Sequence, residues 1–351
     1  MRLKIKNPTA FFRKISTLIF LGAFAVFFSA CGHARPKPAD PYVPEDYIAI
    51  SEQIGYDPAQ FDTIPNNPFP TLSVPTYITK VKENYFIVDC YHNQVIYHEN
   101  LEDPLYEWQI MTNDIAMGHT LASDGTVYLI DDTENNRILV MEEKENNNGR
   151  SVFVPTQEFT DIGDRPHYII YDEYTDTFYV WSSLSGEMFL FRHAPDDSRM
   201  YLTEVRSIPS LDGVYVRSFT IVEDRIYFVS GNASIIEADL YSFKVLKEYP
   251  VPDALAGMVQ LTPIGDEYYI TVSTDNTGNQ DYATMIRTKN LSDLSSGKYE
   301  DVYHYFVGGG TPYYITQIDD DWYLTEHRLP GHSIWRFQVQ DNEIVNVTSI
   351  Y

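Results

Sequence analysis

A short strand-like segment built around an aromatic residue returns six times along this chain, and that interval admits few folds. The six copies are Tyr85-Phe86-Ile87-Val88-Asp89, Val127-Tyr128-Leu129-Ile130-Asp131, Phe178-Tyr179-Val180-Trp181-Ser182, Ile226-Tyr227-Phe228-Val229-Ser230, Tyr268-Tyr269-Ile270-Thr271-Val272 and Trp322-Tyr323-Leu324-Thr325. Between Phe86, Tyr128, Tyr179, Tyr227, Tyr269 and Tyr323 the spacings are 42, 51, 48, 42 and 54 residues. Each copy follows another apolar segment, such as Tyr77-Ile78-Thr79, His119-Thr120-Leu121 or Tyr168-Ile169-Ile170, across a short polar turn. Asp-Gly in Ser123-Asp124-Gly125 is a hairpin signal of this kind. A third strand comes after each copy. A more variable fourth follows, read at Glu107-Trp108-Gln109 in the first unit and at Val302-Tyr303-His304 in the fifth. Four strands per unit at a period in the forties predict an all-β, six-bladed β-propeller over 76–351, with four antiparallel strands per blade. The last strand ends at Tyr351, so no spare C-terminal strand remains for the first blade. Closure is expected from blade-to-blade packing or from the 60–75 segment.

Two units carry a more specific pattern. Asp89 to Tyr97 reads Asp-Cys-Tyr-His-Asn-Gln-Val-Ile-Tyr, and Asp131 to Val140 reads Asp-Asp-Thr-Glu-Asn-Asn-Arg-Ile-Leu-Val. An acid, a short loop, Asn and an apolar strand resemble the blade motif of NHL-type propellers. The resemblance covers these two blades by motif and the others by pattern. It implies the fold and says little of function, because propellers serve many.

The N-terminus addresses location. Arg2, Lys4, Lys6, Arg13 and Lys14 precede an apolar run from Leu18 to Phe28, and Ser29-Ala30-Cys31-Gly32 follow. Charge, length and small flanking residues predict a signal peptide over 1–30, and the run is shorter than the ~20 residues a membrane span needs. The segment resembles a bacterial lipoprotein signal, with Phe28 where an aliphatic residue is usual. That resemblance implies a lipidated Cys31 and an extracytoplasmic, membrane-anchored protein; an ordinary signal peptide or an N-terminal anchor is the alternative. Nine of the twenty prolines fall in 32–75, so 31–75 is expected to form a tether, with 45–75 folded as a short helix or irregular collar.

Charge narrows the partners. The chain carries 25 basic and 50 acidic side chains, a net −25. Such a surface repels nucleic acid and anionic head groups. With Cys31 lipidated, Cys90 has no cysteine to pair with, and the core must hold the fold.

Propeller topology puts inner-strand starts and second-strand ends on one face around the channel. Those positions gather Tyr91, His92, His119, Arg165, His167, Trp181, Arg217, Tyr313, His327 and Arg328. Three readings follow. In the first, a polar or anionic ligand, a glycan or a peptide, is gripped by Arg165, Arg217 and Arg328 through forked hydrogen bonds and stacked by Tyr91, Trp181 and Tyr313. In the second, His119 or His167 is the base of a polysaccharide lyase or hydrolase, with an arginine stabilising developing negative charge. In the third, the rim is a protein-interaction scaffold. No Gly-x-Ser-x-Gly or compact His-x-x-x-His spacing occurs. No metal site or cofactor is therefore expected, although a divalent cation remains compatible with the acidic surface.

Overall fold

The computed structural model describes residues 51–275, 277–306, 310–327 and 332–351. The expected signal peptide, Cys31, the tether up to residue 50, and Arg328 lie outside the described residues. The chain forms six sheets whose strands run in sequence order from the channel outward. Their inner strands are Pro75–Val81, Leu121–Ser123, Pro166–Asp172, Val216–Val222, Gly257–Ile264 and Thr311–Ile318, which open blades 1 to 6. This is the expected all-β six-bladed propeller with four antiparallel strands per blade.

The recurrent strands read as continuous apolar runs because both faces of a blade are covered by neighbours. In Thr177–Ser182 of blade 3, Phe178 and Val180 join a core shared with Val127, Leu129 and Ile138 of blade 2. Tyr179 and Trp181 turn the other way, toward Phe219 and Phe228 of blade 4. A strand buried on both faces has no polar side to alternate with. Each such Leu, Val or Phe stabilises the fold by ~1.5–3 kcal/mol when fully removed from water.

Two outer strands differ from the expected positions. Blade 1 ends in Gln109–Thr112, and Leu105–Glu107 is a 3₁₀ turn that seats Trp108 in the core. In blade 5 the outer strand is only Glu300–Asp301, and Tyr303–Tyr305 forms a 3₁₀ turn behind it. Both departures lie where an aromatic residue leaves the ladder to fill space between blades.

Blade 6 packs directly on blade 1. Ile318, Tyr323 and Ile334 share a core with Ile78, Ile87 and Trp108. The Thr325 hydroxyl donates to the Thr76 carbonyl at 2.8 Å, and Trp108 Nε1 donates to the C-terminal Tyr351 hydroxyl at 3.0 Å. Tyr351 donates in turn to the blade 1 carbonyls of Leu101 and Asp103. The segment before blade 1 clips onto sheet edges. Asn66 bridges Gln109 at the edge of blade 1, and Glu52–Gln53 adds a fifth strand to blade 2 by pairing with Gln157 and Glu158. These contacts cover two edges that would otherwise present unpaired backbone groups.

The acid-loop-Asn pattern has a structural purpose. In blade 1 the turn Cys90–His92 ends at Asn93 in the left-handed conformation (φ 53°), and in blade 2 Thr133–Asn135 ends at Asn136 (φ 49°). Asparagine tolerates that conformation better than most residues. Each amide oxygen then reaches the next blade. Asn93 Oδ1 accepts from the Met117 amide at 2.9 Å, and Asn136 Oδ1 from the Arg165 amide at 2.8 Å. Both recipients are themselves left-handed, with φ 58° and 63°. The acids complete the clasp: Asp89 Oδ1 accepts from the Ser73 amide and Asp132 Oδ1 from the Ala116 amide, both at 2.7 Å. Ser182 Oγ takes the same part in blade 3, accepting from the Asp164 amide at 2.7 Å.

An ion pair ties blades 2 and 3 near the hairpin tips. His193 Nε2 stands 2.5 Å from Asp124 Oδ2, and both side chains are largely buried. The hydrogen bond to Asp124, which outweighs the cost of burial, raises His193 from 6.5 to about 9. A raised histidine contributes stability fully below its unfolded pKa and loses it as pH rises through the folded one. The melting-temperature gap between the wild type and His193→Gln should therefore be constant from pH 5 to 6.5 and close toward pH 9 and above. A gap that does not change across that range would show that the pair carries no proton-linked stability.

Candidate functional site

The inner strands do not run straight into the channel mouth. Register slips occur at Pro75/Tyr77, Pro166/Tyr168, Val216/Phe219, Gly257/Gln260 and Pro312/Ile315, all near the strand starts. A bulge adds a residue and re-aims its side chain. The added residues include His167 in blade 3, Arg217 in blade 4 and Tyr313 in blade 6. Blade 2 reaches the same result differently. His119 and Thr120 are held outside the ladder by the buried Asp131 carboxylate, which accepts from their amides at 2.8 and 2.6 Å. The inner strand therefore starts at Leu121, two residues later than the sequence suggests.

These devices bring five of the expected residues together. The His119 and His167 rings lie 3.7 Å apart between centroids. The Tyr313 hydroxyl is 3.0 Å from His167 Nε2, and its ring stacks on His327 at 4.5 Å. Tyr215, which sequence reading missed, brings its hydroxyl to 3.4 Å from the same His167 nitrogen. The Arg217 guanidinium sits over the Tyr215 ring at 4.7 Å. Tyr215 precedes Arg217 by two, as Arg165 precedes His167 and Met117 precedes His119. That spacing was the available signal for Tyr215.

The floor beneath the cluster is closed. Tyr314 of blade 6 donates across the axis to the Arg217 carbonyl of blade 4 at 3.1 Å. Gln260 of blade 5 donates to the Tyr168 hydroxyl of blade 3 at 2.9 Å, and Tyr168 and Tyr314 are 4.9 Å apart. All three side chains are buried.

The remaining candidates sit elsewhere. Trp181 is fully buried against Phe228, 4.5 Å away, and cannot stack on a ligand. Strand alternation explains this, since the residue that faces the loop is Ser182. His92 is occupied by Asp89 at 2.6 Å and by a parallel stack on Phe69 at 3.6 Å, so it serves the turn. Tyr91 is exposed at the rim. Arg165 borders the cluster but pairs with Glu134 at 2.6 Å.

Burial governs the charge state of both central histidines. It lowers His119, against the opposing pull of Asp131. It lowers His167 much further, helped by the charges of His119, Arg217 and Arg165. The tautomer of His119 follows from its partners. Thr133 Oγ1 lies 2.8 Å from Asp131 Oδ2 and 2.8 Å from the Pro166 carbonyl, two groups that only accept. Its single proton goes to one of them, so it accepts from His119 Nδ1 at 3.0 Å. His119 Nε2 is therefore the acceptor nitrogen, and it faces the Cys90 thiol at 4.0 Å. Among the described residues, no three His, Cys, Asp or Glu side chains are arranged to hold a metal ion.

No family model and no curated protein matches the chain. Solved structures match it as a fold. A structure described as a putative 6-phosphogluconolactonase from Bacteroides uniformis is 11% identical, with TM-score 0.54 over 79% of this chain and 86% of that one. One of the same description from Bacteroides fragilis is 12% identical, with TM-score 0.55 over 79% and 85%. A streptogramin B lyase is 16% identical, with TM-score 0.51 over 81% and 85%. At these identities the likeness is one of propeller architecture.

In the histidine Cε1–H spectrum, two resonances should titrate with midpoints below the ordinary 6.5, that of His167 the lower, and be lost in His119→Gln and His167→Gln respectively. A midpoint at or above 6.5 for either would contradict the burial argument.

Proposed function

We propose that this propeller is a recognition module for a polar or anionic ligand, a glycan or a peptide, bound at the channel mouth. Arg217 carries the reading. It is half-buried and bulged toward the axis, and among the described residues no carboxylate pairs with it, in a chain with 50 acidic side chains. It lies over the Tyr215 ring and donates a long hydrogen bond of 3.4 Å to the Met258 carbonyl. A guanidinium seated in protein with its fork unspent is suited to a carboxylate, sulfate or phosphate. Neutral His119 and His167, with the hydroxyls of Tyr215 and Tyr313, supply the uncharged polar contacts a sugar or peptide needs. The lipid at Cys31 belongs to the same proposal and would hold the module outside the cytoplasm at the membrane.

The second reading is catalysis. His119, with Nε2 as its acceptor nitrogen and its pKa lowered by burial, is suited to act as a general base. A lyase or hydrolase would pair it, or His167, with Arg217 as the anion-stabilising group.

One screen separates the two. The full-length chain in detergent is tested against neutral and uronic-acid oligosaccharides, cell-wall fragments and short peptides, for both binding and product. The module reading expects binding without product, weakened about 10- to 100-fold in Arg217→Ala, the loss of a charged hydrogen-bonded pair. Product that disappears in His119→Gln or His167→Gln replaces that reading with the enzyme. Silence across the panel overturns both in favour of a protein-binding rim. In the same preparations, Cys31→Ser should move the protein from a detergent phase into water, and an unchanged partition removes the lipid.

A further inference from the structure

Beside the anion-binding group, on its blade 1 and blade 2 side, lie donors of a different chemical kind. Cys90 Sγ is 4.0 Å from Met117 Sδ and 4.0 Å from His119 Nε2. Cys90 is fully buried and His119 is 7% exposed, while Met117 is half-buried. None of the three was brought here by strand pairing. Cys90 opens the turn after blade 1's second strand. Met117 is held in the left-handed conformation by Asn93 of that same turn. His119 is fixed by Asp131, and its ring is oriented by Thr133.

His119 Nδ1–H is donated to Thr133, and the acceptor Nε2 of a nine-tenths buried ring faces the Cys90 sulfur. Metal-binding histidines show this arrangement, with one nitrogen on the ion and the other N–H on an oxygen partner that fixes the tautomer. The two spacings from Cys90 also fit. With metal–sulfur distances of ~2.3 Å and metal–nitrogen of ~2.0 Å, donors 120° apart stand about 3.7 to 4.0 Å from one another. One thiolate, one thioether and one imidazole form a soft donor set that favours monovalent copper over zinc or calcium.

We propose that Cys90, Met117 and His119 form a three-coordinate site for Cu(I) at the channel mouth. Binding converts the Cys90 thiol to a copper-bound thiolate and releases its proton to solvent, with no change in oxidation state. His167, whose Nδ1 has no hydrogen-bond partner, packs against the His119 ring. The site shares His119 with the proposed ligand cluster but does not use Arg217.

The test is anaerobic Cu(I) titration of the full-length chain against a chromophoric Cu(I) chelator. A Cys31→Ser background leaves Cys90 as the one thiol. One equivalent of copper should be retained per chain, with one proton released. Sulfur should appear in the copper X-ray absorption spectrum. Cys90→Ser should abolish retention, and Met117→Leu, which keeps the volume, should weaken it at least tenfold. Arg217→Ala should leave it intact. Melting curves confirm that each variant is folded. The proposal is overturned if the parent chain yields all its copper to the chelator, or if folded Cys90→Ser and Met117→Leu retain it as well as the parent does.

Discussion

The structure depends on side-chain oxygens that hold the backbone amides at the blade junctions. Asn93 and Asn136 each hold an amide of the following blade, while Asp89, Asp132 and Ser182 hold amides ahead of their own inner strands. Without them the entry loops of blades 2 and 3 would have to satisfy those amides with water, and Met117 and Arg165 would have little reason to stay left-handed. With them in place, the chain enters the inner strand at a fixed angle. Residues two apart then present their side chains to the same mouth. Hydroxyls continue the linkage around the axis. Thr120 accepts from the Ile169 amide of blade 3, Ser218 donates to Val259 of blade 5, Thr271 to Tyr313 of blade 6, and Thr325 to Thr76 of blade 1. A ring without a shared closing strand is held by these contacts and by the apolar faces between blades.

Electrostatics at the mouth follow from the same bonds. The fully buried Asp131 accepts two amides and two hydroxyls, so its charge is spread over local donors. Asp132 holds Arg137, Asn135 and the Ala116 amide. Asp131 and Asp132 are thereby consumed by the fold. Arg217, by contrast, keeps its hydrogen-bonding capacity in a surrounding of neutral imidazoles and phenols. An acidic protein can present a locally receptive site for anions when its nearest carboxylates are already saturated.

Much of this was legible in the sequence, and the limits have physical causes. The six repeated strands fixed blade number and order, because double-sided burial leaves an apolar run wherever a blade needs its second strand. The mouth was readable as a set of positions, and His119, His167, Arg217, Tyr313 and His327 do meet there. Trp181 was misplaced because side chains alternate along a strand. An error of one residue in where the strand ends transfers a side chain from the core to the loop. His92 was misplaced because a tight turn gave it Asp89 and Phe69 as nearer partners. Tyr215 and Met117 were not singled out because bulges and left-handed residues leave only a weak trace in composition. The outer strands of blades 1 and 5 drifted for a related reason, since edge strands are set by what packs behind them.

The most direct test of this account is native-state amide hydrogen exchange at Met117 and Arg165. Both amides belong to connecting segments, where rapid exchange is ordinary. If the asparagine clasps position the mouth, these two amides exchange as slowly as those of the adjoining strands, and each becomes fast in Asn93→Ala or Asn136→Ala respectively. Rapid exchange at both positions in the wild type would mean that the clasps are not formed in solution and that the mouth is organised by something else.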